Sequence, residues 1–108
     1  MINVKYDRKK ICVTVEGHAQ TGEKGTDLVC AAASILVYTL ASDVSALHAG
    51  SKRRVRRPVC ILEEGKAKIS CAPVHGMENV TRLIFDSVCR GFEVLAQRYP
   101  LAVRYEIS

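Results

Sequence analysis

Within the stretch from Gly17 to Ser34, a glycine-punctuated loop has His18 at one end and Cys30 at the other. A cysteine attacks a carbonyl as its thiolate. A nearby imidazole can pair with that thiolate and later protonate a leaving amine. The two residues are therefore a candidate pair for acyl chemistry. Thr26-Asp27 offers a helix N-cap, which makes Cys30 the third position after a cap at Asp27. First-turn amides are unpaired and the helix dipole is positive there, which favours a thiolate and a developing oxyanion. Gly22 and Gly25 suit a loop that opens to admit a peptide. Plainer readings stand beside these. A cysteine early in an apolar helix commonly packs, and a histidine at a strand end commonly faces solvent. Asp27 is an N-cap or an acid partner of His18. Ser34 bonds back to the Cys30 carbonyl or orients a substrate from one turn along. Spacing alone leaves both sets open.

The surrounding pattern indicates the elements that would position this stretch. Ile2, Val4 and Tyr6 alternate with polar residues, and after Arg8-Lys9-Lys10 the alternation resumes at Ile11, Val13 and Val15, giving a β-hairpin that ends at Glu16-Gly17. From Asp27 to about Ala49 the period is helical, with Val29, Ala32, Ala33, Leu36, Val37, Leu40, Val44 and Leu47 on one face and Gly50 as the stop. Cys30 and Ser34 lie at the edge of that face, and Ile35 and Tyr38 on the far side are left for another element or a second subunit. A loop, Ser51 to Arg57, leads to a strand at Val59 to Leu62, a turn at Glu63 to Lys66 and a strand through Ala67, Ile69 and Cys71. Val80, Leu83, Ile84, Val88 and Leu95, with Phe85 and Phe92 alongside, predict a second helix ending near Tyr99-Pro100; Val103, Tyr105 and Ile107 predict a last strand. The order β-β-α-β-β-α-β implies an α+β fold, a mainly antiparallel sheet with two long helices packed on one face, in a single domain over residues 1–108.

Composition narrows the class of function. Five cysteines, Cys12, Cys30, Cys60, Cys71 and Cys89, in a chain without an apparent export signal point to reduced thiols and a cytoplasmic protein. Cys12, Cys60, Cys71 and Cys89 fall in strand or helix patterns and are expected as small buried hydrophobes. The thiols and histidines show no zinc-ligand spacing, so no metal is implied. The apolar run from Leu28 to Ala41, broken by Ser34 and Thr39, is expected to be too short for a membrane. The net charge of +5 has a local origin in Lys52, Arg53, Arg54, Arg56 and Arg57. This basic loop is either a solvated segment or a weak RNA contact. His48 and His75 are expected to be solvated or capping residues.

Gly17-His18-Ala19, Gly22, Gly25, Asp27, Val29-Cys30-Ala31-Ala32 and Ser34 resemble the signature G-H-A-x-x-G-x-x-G-x-D-[hydrophobic]-V-C-A-A-x-S of the ribosomal-processing cysteine protease family. The resemblance extends to chain size and element order. It implies a bacterial, homodimeric cysteine endopeptidase that removes the N-terminal leader of a large-subunit ribosomal protein, without a cofactor. Carried over by position, Cys30 is the nucleophile and His18 the general base and acid; Gly22 and Gly25 belong to a flexible loop, and Asp27 and Ser34 hold supporting polar positions. Two rival readings use the same residues differently. One is a non-catalytic ribosome-assembly factor that binds through residues 52–57; the other is a thiol redox or acyl-transfer protein.

Overall fold

The computed structural model describes residues 1–18 and 26–108. Among these residues the elements are β1 (Ile2–Asp7), β2 (Cys12–Gly17), α1 (Thr26–His48), β3 (Val55–Glu63), β4 (Lys66–Pro73), α2 (Glu78–Arg98) and β5 (Val103–Ile107). The α+β order read from the periodicities is the order observed. The sheet runs β3-β4-β2-β1-β5. The pairs β1/β2, β2/β4 and β3/β4 are antiparallel, while β5 lies parallel to β1. Parallel pairing needs a long crossover, and the chain between β1 and β5, α2 included, provides it.

Strand side chains alternate in burial, so one face of the sheet meets the helices. Ile2, Val4, Tyr6, Val13, Ala67, Ile69 and Val103 are buried, while Asn3, Lys5, Lys66, Lys68 and Arg104 are exposed. On α1 the inward stripe is Val29, Ala33, Val37, Leu40, Val44 and Leu47, with Ala32 and Leu36 packed at its margin. The expected helix face is the observed one.

Four expectations require correction. On α2 the buried stripe is Thr81, Phe85, Val88, Cys89, Phe92 and Leu95, whereas Val80 and Leu83 are exposed. The two phenylalanines, fully buried, set the inward direction, and at about 100° per residue Leu83 then points to the opposite side. The segment expected as a basic loop is partly strand: β3 begins at Val55, so Arg56 and Arg57 belong to it. A register shift between Arg56 and Val59 and a positive φ of 50° at Arg57 mark a bulge there, and the edge position tolerates Pro58. Cys60, expected to be buried, is exposed because β3 is an edge strand; Cys71 and Cys89 are buried and Cys12 is half-buried. Finally, Leu28–His48 is long and apolar enough to cross a membrane by length and composition. Thr39 does not interrupt it, because its hydroxyl donates to the Ile35 carbonyl at 2.7 Å. Its inner stripe is nevertheless committed to the sheet.

Candidate active site

At the end of β2 the chain leaves the sheet through a glycine that geometry demands. Gly17 has φ of +103°, and a Cβ on it would collide with the Met1 carbonyl. The next residue, His18, is held from two directions. Its carbonyl accepts a hydrogen bond from the Met1 nitrogen at 2.6 Å, and the Gly17 N–H donates to the Gly65 carbonyl at 2.9 Å. The His18 side chain thus projects at the sheet's end beside the β3–β4 turn.

Cys30 comes from the other wall. The helix begins at Thr26, so Thr26 and Asp27 lie within it and Cys30 is its fifth residue. This replaces the expected cap at Asp27. Helical side chains tilt toward the N-terminus, so the Cys30 thiol still leans over the positive first turn. His18, Cys30 and Ser34 all line one cleft of about 420 Å³, together with Tyr38 from α1 and Leu62 to Ala67 from the β3–β4 hairpin. That volume lies within the range of pockets that hold small organic groups or a few peptide side chains. Gly22 and Gly25 lie outside the described residues.

The structure thereby brings together the two chemistry-bearing residues and Ser34. It adds a third wall that sequence reading treated as a plain turn: Glu63, Glu64, Gly65 and Lys66. Tyr38 was also unassigned, although Cys30, Ser34 and Tyr38 are spaced at i, i+4 and i+8. That spacing places them along one side of a helix and was the available signal.

The remaining thiols have different surroundings. Burial pushes the Cys71 thiol up to about 11 and the Cys89 thiol up to about 12, and it raises Cys60 as well. Cys71 and Cys89 are thus protonated and inert near neutral pH. A second, smaller cleft of about 250 Å³ lies between α2 and the sheet edge. There the Tyr6 hydroxyl donates to Asp86 Oδ1 at 2.8 Å and Arg8 Nε donates to the same oxygen at 3.0 Å. These bonds satisfy one another and tie α2 to β1. His48 Nδ1 lies 3.2 Å from the Val55 carbonyl, a contact that joins the end of α1 to β3. No group of three His, Cys, Asp or Glu side chains among the described residues could hold a metal ion.

The family model for cysteine protease Prp matches residues 1–104. A crystal structure of SMU.848 from Streptococcus mutans is 31% identical, covers 99% of this chain and 93% of its own, and superposes with a TM-score of 0.71. The essential ribosomal processing protease Prp from S. aureus, crystallised with a substrate peptide, is 22% identical; 99% of this chain and 97% of that one are covered, with a TM-score of 0.70. A further structure of that protease carries a covalently linked product peptide. The comparison with curated proteins gives no match.

Proposed function

This chain belongs to the cysteine protease Prp family and is a cysteine protease, and from that premise we propose that it removes the N-terminal leader of a large-subunit ribosomal protein, with Cys30 as nucleophile and His18 as general base and acid. The observation that carries the residue assignment is that His18 and Cys30, from different elements, line the same cleft. The similarity in fold to a ribosomal processing protease crystallised with its substrate peptide supports the substrate class.

In the proposed reaction the Cys30 thiolate adds to the scissile carbonyl, forming a C–S bond and a tetrahedral oxyanion beside the helix start. As the C–N bond breaks, protonated His18 delivers its proton to the departing amine, the new N-terminus of the mature protein. A water molecule then gives a proton to neutral His18 and attacks the thioester, and the leader leaves as a carboxylate while the thiolate is restored. Asp27 and Ser34 keep supporting roles in this scheme; Ser34 does so from the cleft wall.

We further propose that the working form is a homodimer. The outer side of α1 presents Leu28 and Ile35, which are 65% and 60% exposed, on a helix whose inner stripe is already buried. An uncovered apolar patch beside an already buried stripe fits contact with a second subunit.

The deciding experiment incubates the protein with a peptide spanning the leader junction of the ribosomal protein from the same genome. One cut is expected by mass spectrometry. Cutting that persists in Cys30→Ala overturns the mechanism.

A further inference from the structure

Gly65 lies far along the chain from the motif, yet the His18 imidazole points at it. A Cβ at Gly65 would come 2.5 Å from His18 Nε2 and 3.1 Å from Cε1. Side-chain carbons do not approach ring atoms so closely, so the ring and a residue-65 side chain cannot share this space. Gly65, the second residue of the two-residue turn Glu64-Gly65 between β3 and β4, also has φ of +73°, a left-handed value that glycine adopts readily. Its carbonyl accepts the Gly17 N–H, the hydrogen bond that fixes the backbone just before His18.

Backbone conformation alone does not distinguish this glycine. Gly50 and Gly76 have φ of +86° and +91°, and a Cβ on either would meet nothing within 4 Å. Gly65 differs in what it faces. The pairing of Glu16 with Lys66 across β2 and β4 places it there, beside the end of β2.

Building on the proposed mechanism, we infer that Gly65 is a positioning residue for His18: the side chain it lacks is the space in which the imidazole is seated at the rim of the cleft. The β3–β4 turn is therefore part of the proteolytic apparatus, acting through His18 and not on the substrate.

The test compares Gly65→Asn with Gly76→Asn. Asparagine tolerates positive φ, so both variants keep their turns, but only the first adds a Cβ against the ring. In Gly65→Asn the imidazole proton resonances of His18 shift, its NMR titration curve moves, and kcat falls about ten- to a hundredfold while KM changes less than about threefold. Gly76→Asn leaves all four quantities unchanged. In a His18→Ala background, Gly65→Asn causes no additional loss. A D-alanine at position 65, installed by peptide ligation, keeps the turn, directs its methyl away from the ring and retains activity, which covers the case in which Gly65→Asn does not fold. Unchanged His18 resonances and kcat in Gly65→Asn, equal losses in Gly76→Asn, or loss of activity with D-alanine would each overturn the inference. If the wild-type protein cuts no leader peptide, the proteolytic reading fails, and the His18 resonances alone then decide the placement.

Discussion

The two long helices lie on the same face of the sheet but spend their side chains differently. α2 buries one stripe, with Phe85, Phe92 and their neighbours, and on the rest of its surface carries Arg82, Asp86, Arg90 and Glu93 beside the exposed Val80, Leu83 and Val94. Every strong contact it makes is structural, including the Tyr6–Asp86–Arg8 cluster that ties it to β1. α1 carries the same kind of core stripe and then two further assignments. One edge, with Cys30, Ser34 and Tyr38, lines the cleft; the outer side, with Leu28 and Ile35, is apolar and uncovered. Exposed apolar residues occur on both helices, so what sets α1 apart is the edge that lines the cleft.

That contrast can be broken by substitution. The largest effect is expected from Cys30→Ala, which should reduce cleavage of the leader peptide by at least ~10³-fold with no loss of thermal stability, as expected for removal of a nucleophile. Phe92→Ala on α2 should do the reverse. It should lower unfolding free energy by about 3–5 kcal/mol in a denaturant titration while the folded fraction keeps its specific activity. Next, for the proposed dimer, Ile35→Asp should raise the dissociation constant by at least about tenfold in sedimentation, without changing the far-ultraviolet spectrum. A dimer indifferent to this change would place the interface elsewhere. The smallest effect concerns Asp86. The Arg8 guanidinium, followed by the Tyr6 hydroxyl, holds its carboxyl below the ordinary value of 3.8. A depressed folded value means a contribution that is complete above pH 3.8 and is lost as pH falls below it. Asp86→Asn should therefore flatten the acid side of the stability curve below about pH 4, and an unaltered acid slope would show that this cluster contributes nothing.

Sequence legibility followed the range of the interactions involved. Alternation at Ile2, Val4 and Tyr6 and helical spacing from Val29 to Leu47 are local signals, so both elements and their inner faces could be read directly. The α2 face could not be read from apolar count alone, because Val80 and Leu83 compete with the phenylalanines and only packing volume chooses between them. Cys60 was expected inside because it falls within a strand pattern, where cysteine commonly packs as a small hydrophobe; that β3 forms an edge depends on which strands pair.

For the site itself, the stretch from Gly17 to Ser34 determined by its own residues that a histidine would follow a strand and a cysteine would begin a helix. It could not determine what would close the third side. That was decided by the sheet order, in which β4 lies beside β2 and the Glu16–Lys66 pairing brings the β3–β4 turn to His18. Local periodicity is written within a few residues, whereas strand neighbours are chosen between segments some fifty residues apart. Gly65 therefore has no motif around it in the chain, and it acquires its relation to His18 only when the sheet assembles.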